Sequence, residues 1–292
     1  LRDLYNVERV DVIAGPSALT FGRGTGGGAI NRMTKQADGR RVRTVDLLRD
    51  RFGQARVAGD LGGTLGERVA WRLNAVAEES GTFREAMAIS RRGVAPAVRL
   101  RRGPATALEV QGEVFRDDRT VDRGVPSLDG APWRGDFATF FGNPAWSRSA
   151  IDVATLRAVI DHAWGPALSL RAVASLGAYG KVYDNVFPGG PVITADRAVP
   201  IAAYLSATDR TNALSQVDLV WTPTVAGRRH TVLLAVEGGR QQSTNRRVNA
   251  TGIIASLTDR GRTFVPDFGG APALDNGNTL GLLAVVAQTS LC

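Results

Sequence analysis

Few residues in this chain could carry out bond chemistry, and none are grouped for it. His162 and His230 are the only histidines, and Cys292, the last residue, is the only cysteine. A His/Cys metal site needs several ligands at short, defined spacings. A general base needs a reacting partner within reach. Each histidine instead sits in a strand-like stretch with no cluster around it, and one cysteine gives no disulfide framework. Gly22, Gly24 and Gly27 do spell G-x-G-x-x-G, with Asp46 about twenty residues on, the spacing of a dinucleotide site. That site requires the glycines to leave a strand and open a helix. Ala29 to Thr34 has no helical apolar stripe and reads as another strand. Catalysis, metal ligation and nucleotide binding are therefore not where the sequence points.

The elements that would have to position any site are strands. Gln54 to Leu61 sets Ala55, Val57, Gly59 and Leu61 against Gln54, Arg56 and Asp60. Val69 to Glu79 sets Val69, Trp71, Leu73, Ala75 and Ala77 against Arg72, Asn74 and Glu78. The same period of two recurs over Ala107–Arg116, Leu168–Tyr179 and Leu214–Trp221, and more weakly over Thr155–Trp164 and His230–Gln242. Tight links at 62–68, 101–106, 165–166 and 222–229 alternate with long ones at 80–92, 117–152 and 180–213. That sorting of turns and loops is how a transmembrane barrel separates its two mouths. No apolar run reaches the eighteen or more residues a membrane helix needs, which leaves a β-barrel open.

The formal charge is +8, carried almost wholly by arginine, since Lys35 and Lys181 are the only lysines. The arginines are scattered among acids, with no basic run interleaved with aromatics, so no nucleic-acid partner is expected. Arginines lining a lumen or an external mouth would attract anionic ligands.

One block organises the rest. Arg9 to Ile13 alternates like a strand, Gly15-Pro16 stops it, and five of the seven residues from Gly22 to Gly28 are glycine. Ala29 to Thr34 closes the unit. Glu8-Arg9-Val10, Gly15-Pro16-Ser17, Phe21-Gly22-Arg23-Gly24, Gly27-Gly28, Ile30-Asn31 and Thr34-Lys35 follow one another in an order and spacing that resembles the plug domain of TonB-dependent outer-membrane receptors, the siderophore receptors above all. Ala14 and Phe21 depart from the family's usual Arg and Tyr, and Gln36-Ala37 from a basic residue and Pro. Asp122 to Pro126 and Thr139 to Gly142 likewise resemble external loops of those receptors.

The expected fold is all-β: a partial transmembrane antiparallel β-barrel, about ten strands of a larger one, preceded by the C-terminal part of a plug domain. The division falls at 1–38 for the plug part and 39–292 for the barrel part. Such plugged barrels close at about twenty-two strands, and the chain ends in Cys292 where the family ends in an aromatic, so a partial chain is expected that would not fold alone into a working transporter. The resemblance implies a receptor for a ferric siderophore, energised through the TonB complex of the inner membrane by a segment before the plug, set in outer-membrane lipid. It implies no enzyme activity and no resident cofactor, iron staying in its chelator. Cobalamin, haem or carbohydrate as ligand, or a passive porin, are the alternatives. Site residues implied are Phe21, Gly22 and Arg23 at the plug apex and Trp133, Phe140, Phe141, Trp146 and Tyr183 in the loops, with Arg9 anchoring the plug to inward acids such as Glu78, Glu109 or Glu113.

Overall fold

A computed structural model describes residues 3–15 and 27–291. The strands in chain order are β1 (Val7–Ala14), β2 (Gly28–Thr34), β3 (Val42–Arg49), β4 (Ala55–Leu65), β5 (Val69–Ser80), β6 (Ile89–Arg102), β7 (Thr106–Thr120), β8 (Ser127–Leu128), β9 (Ala131–Pro132), β10 (Arg148–Gly165), β11 (Leu168–Pro188), β12 (Ala198–Trp221), β13 (Thr224–Val225), β14 (Arg228–Ser256) and β15 (Leu274–Leu291). β1 and β2 pair with each other as an antiparallel hairpin, apart from the rest. The glycine block thus runs into a strand and not a helix, which removes the structural context a dinucleotide site needs.

The long strands form one antiparallel sheet, in the order β3-β4-β5-β6-β7-β10-β11-β12-β14-β15, with the two-residue β13 also against β14. Among the described residues, β3 and β15 each pair on one side only. All-neighbour antiparallel order is what a chain of up-and-down hairpins gives.

Alternation along each strand decides its two faces. On β5, Ala70, Arg72, Asn74, Val76 and Glu78 are buried while the residues between them are not. The buried set faces the hairpin, so this is the inner face. The outer face is apolar and open: Val94, Val98 and Leu100 on β6, Val110 and Val114 on β7, Leu156 and Ile160 on β10, Leu176 on β11, Val217 on β12, Leu234 and Val236 on β14. On three neighbouring strands this band stops at a charge, Arg92, Arg116 and Asp152, all outward and exposed. Exposed Trp164 and Trp221 mark its other edge, beside the tight turns. From Ala154 to Trp164 the band spans roughly ten residues, the length at which a tilted strand crosses a bilayer. An apolar band closed by an aromatic girdle is the outer surface of a membrane barrel.

The links sort as expected. Turns at 66–68, 103–105, 166–167 and 222–227 lie at one end, and links at 50–54, 81–88, 121–147, 189–197 and 257–273 at the other. The strands, however, are longer than alternation shows. β6, β7, β10, β11 and β12 run deep into the stretches 80–92, 117–152 and 180–213 that read as loops. Beyond the bilayer neither face is sorted by polarity, but backbone pairing continues: β12 stays in register with β14 from Trp221 to Ala198 with one irregularity near Ile201. Pro96 lies inside β6, where it removes a ladder donor. The β6–β7 register is interrupted there, opposite Gly112 and Glu113.

Candidate functional site: the inner face and its loop cap

The hairpin is seated on the inner face by charge. Asp3 receives two hydrogen bonds from Arg56 on β4, at 2.8 and 2.9 Å. Arg56 also reaches Glu78 at 2.7 Å, and Arg91 on β6 touches Glu78 at 3.1 Å and Asp3 at 3.4 Å. Arg91 continues to Asp117, which Arg119 also holds. Burial alone would raise the Asp3 carboxyl, but the hydrogen bonds and charge of Arg56, the Tyr5 amide and the charge of Arg91 outweigh it and hold the group below the usual carboxylate range. Tyr5 stacks on Phe115 with ring centres 6.1 Å apart, and Asn6 donates to Glu113 at 3.0 Å. At the foot of β2, Lys35 pairs with Asp60 at 3.0 Å, and Arg72 holds the same carboxylate. Gly93 makes room for this seat: a Cβ there would stand 2.9 Å from both Phe115 and Tyr5.

Among the described residues, Arg9 does not reach the wall. Its guanidinium pairs with Asp11 at 2.9 Å and donates to Met33 within the hairpin, on a largely exposed face. Anchoring falls instead to Asp3, Tyr5, Asn6 and Lys35, which flank the two strands. Glu78 and Glu113 do take part, as acceptors for Arg56 and Arg91 and for Asn6. The apex residues Phe21, Gly22 and Arg23 lie outside the described residues.

The long links pack into one layer. Phe141, Val186, Val199, Ile201 and Phe264 form its core, with Trp133 and Trp146 against it. Phe140 and Phe141 are 0 and 1% exposed. Trp133 meets Phe141 edge-on at 5.3 Å, and Trp146 packs on Phe268. Gly142, at φ +134, donates to the Arg260 carbonyl, and a Cβ on it would strike the Val186 carbonyl at 2.1 Å. Arg84 bonds Asp122 and the carbonyls of Phe137 and Thr139, while Glu85 is held by Arg260 and Arg262. Links 81–88, 121–147 and 257–273 are thereby clasped together.

The inner face of β11 presents Tyr179, Lys181, Tyr183, Asn185 and Phe187 at a period of two. Tyr183 stacks with Tyr204 of β12 at 6.1 Å, and Phe187 meets Tyr204 at 5.6 Å. Arg247 of β14 lies over Tyr204 at 4.0 Å, Arg123 over Phe187 at 4.2 Å and Lys181 over Tyr183 at 5.7 Å. No carboxylate pairs with Arg123, Lys181 or Arg247 among the described residues. Three cations on aromatic faces, without counter-charges, form a surface that attracts an anion bearing flat groups. Of the loop residues put forward from sequence, Tyr183 lies in this patch; Trp133, Phe140, Phe141 and Trp146 lie in the cap. Tyr204, Arg123 and Arg247 were not picked out. The alternation from Tyr179 to Phe187 was the signal that could have found the patch.

No His/Cys/Asp/Glu group able to hold a metal occurs among the described residues. An inner face occupied by a folded hairpin and an outer face banded for lipid define the class: the wall of a plugged transmembrane β-barrel. No protein-family model matches the chain. Among curated proteins it is 27% identical over 238 residues to the metal-pseudopaline receptor CntO of Pseudomonas aeruginosa, covering 80% of this chain and 33% of that protein. It is 28% identical over 275 residues to the catecholate siderophore receptor Fiu of Escherichia coli O157:H7, covering 85% and 36%. A stretch of 127 residues is 32% identical to the probable TonB-dependent receptor BfrD of Bordetella pertussis, covering 43% and 17%. The chain thus spans about a third of the length of the first two. Among solved structures, it superposes on the open form of the ferric-catecholate import receptor Fiu from E. coli K12 with TM-score 0.79 at 23% identity, covering 99% of this chain and 48% of that one. The ferripyoverdine receptor of the outer membrane of P. aeruginosa, bound to ferripyoverdine, gives 0.85 at 17% identity, covering 99% and 40%. These superpositions show the fold. The chain is a homologue of TonB-dependent siderophore receptors, and its homologues are receptors, not enzymes.

Proposed function

We propose that the protein takes up a ferric siderophore across an outer membrane, with residues 1–38 serving as plug and 39–292 as barrel wall. The carrying observation is the patch of Arg123, Lys181 and Arg247 on Tyr183, Tyr204 and Phe187, cations without carboxylate partners among the described residues. A ferric chelate with anionic oxygen donors and flat arms satisfies both halves of that surface. Iron remains in the chelate, so the protein supplies no ligand to it and makes or breaks no bond.

Release inward requires the hairpin to leave its seat. The ion pairs of Asp3 with Arg56 and Arg91 hold that seat shut at rest, and pulling by the inner-membrane TonB complex supplies the work. A passive porin has no use for a hairpin tied across its lumen. Deleting the gene and growing the strain under iron starvation on single siderophores tests the proposal. Loss of growth on one siderophore, restored by the gene, is expected; growth on every siderophore at the parental rate contradicts it.

A further inference from the structure

Several inner-wall arginines take no part in the hairpin seat, Arg157 among them. Arg157 on β10 is partly buried, and no carboxylate among the described residues lies within ion-pair distance of it. Its charged neighbours are Arg171, Glu109 and Asp161. Both acids are engaged elsewhere, Glu109 by Gln111 and Arg99, and Asp161 by Arg171 at 2.8 Å. Arg157 lines a crevice of about 220 Å³ between the foot of the hairpin, at Thr34 and Lys35, and the wall.

Two amides lining the same crevice are incomplete. Asn74 is 2% exposed, and its Oδ1, like that of Asn212, makes no hydrogen bond among the described residues. A buried acceptor left unpaired is costly, so these oxygens suit a ligand that brings donors. Ser175 stands directly across the ladder from Arg157 and adds a hydroxyl. The remaining charges there are occupied: Lys35 by Asp60, and Glu113 by Tyr5 and Asn6. The crevice therefore offers one free guanidinium beside free acceptors.

Position along the wall gives the crevice a role. The aromatic patch lies toward the loop end of β11, and a second crevice of about 610 Å³, lined by Arg99, Arg101 and Arg171, lies at the tight-turn end. Arg157 stands between them. At about 220 Å³ the middle crevice is smaller than the ~300–1,000 Å³ of whole-ligand pockets. We infer that it is a station for one anionic, hydroxyl-bearing arm of the ligand, held by Arg157, Asn74 and Asn212 during passage along the wall. This rests on the reading of the ligand as an anionic chelate.

Two measurements on the protein in outer membranes test it. Ser175→Cys places a thiol opposite Arg157; its modification by an anionic sulfonate thiol reagent is timed against a cationic ammonium reagent of similar size. The anionic reagent is expected to react about tenfold faster, the low end for a cleft of one charge sign, and adding Arg157→Gln is expected to abolish the preference. Equal rates, or a preference that survives Arg157→Gln, overturn the inference whatever the natural ligand is. Thr155→Cys, in the same crevice, replaces Ser175→Cys if the heat-modifiable gel shift shows that variant unfolded. The second measurement uses radiolabelled iron in a tris-catecholate chelate. Arg157→Gln is expected to leave binding to de-energised cells unchanged and to slow energised uptake several-fold, with Arg157→Lys restoring it. Wild-type uptake by Arg157→Gln, or loss of its surface binding, overturns the station. Absence of chelate binding by the unaltered protein counts against the proposed function, and the thiol rates then decide the inference by themselves.

Discussion

Asp3 ties the hairpin to two wall strands at once, because it meets both Arg56 and Arg91. Charge-assisted hydrogen bonds are worth about 1.5–3 kcal/mol, so Asp3→Asn is expected to loosen the hairpin by that order at neutral pH. Faster hydrogen exchange across Val7–Ala14, with the wall strands unchanged, is the readout. The sign with pH follows from the lowered carboxyl. Its contribution is whole above the ordinary aspartate pKa near ~4 and is lost as pH falls through the lower folded value. Asp3→Asn and the unaltered protein should therefore converge only in strong acid; a difference that persists there would show that charge is not what Asp3 supplies. Gly93→Ala acts on the same seat by volume. Its Cβ displaces the Tyr5 ring from Phe115, so Tyr5 fluorescence and hairpin protection are expected to change while the gel shift of the folded barrel does not. Arg9→Ala should leave hairpin protection near that of the unaltered protein, since its bonds stay within the hairpin.

At the scale of elements, the parts written by alternation were legible and the parts written by backbone pairing were not. Gln54–Leu61 and Val69–Glu79 read correctly because one face meets lipid and the other the lumen, so apolar and polar residues must alternate. The upper halves of β11 and β12 have water or protein on both faces. There Lys181 to Pro188 and Ala198 to Ala213 read as loop while remaining paired strand. For the same reason Tyr204, read only as one aromatic of a long link, and Arg247 were not put forward as site residues, although they stand beside Tyr183 in space. The clasp of the loop layer was equally invisible, since Glu85 lies far in sequence from Arg260 and Arg262. Glu85→Ala should free links 81–88 and 257–273 from each other. Faster proteolysis of these links in intact cells, without loss of the barrel's gel shift, is expected; unchanged cleavage would show that Phe141 and Phe264 hold the layer without the clasp.

For the whole molecule, two faces of one sheet face two solvents. Val110 belongs to the outward apolar band, and an arginine at the bilayer midplane of such a wall costs about 2–4 kcal/mol, against about 0–1 near an interface. Val110→Arg is thus expected to lower folding stability in lipid vesicles far more than a change at Arg116, where charge already stands. The long plug block made this class legible from sequence. The cation–aromatic patch was only half legible, since its members come from an early loop and three strands. The most direct test of the account is equilibrium titration of the purified protein with ferric tris-catecholate and ferric hydroxamate–carboxylate chelates, followed by quenching of intrinsic fluorescence. The account predicts saturable binding of at least one chelate, weakened about tenfold by Arg247→Ala, the loss of roughly 1.4 kcal/mol from one cation contact. Absence of saturable binding by any ferric chelate, or binding indifferent to Arg123, Lys181 and Arg247, would contradict it.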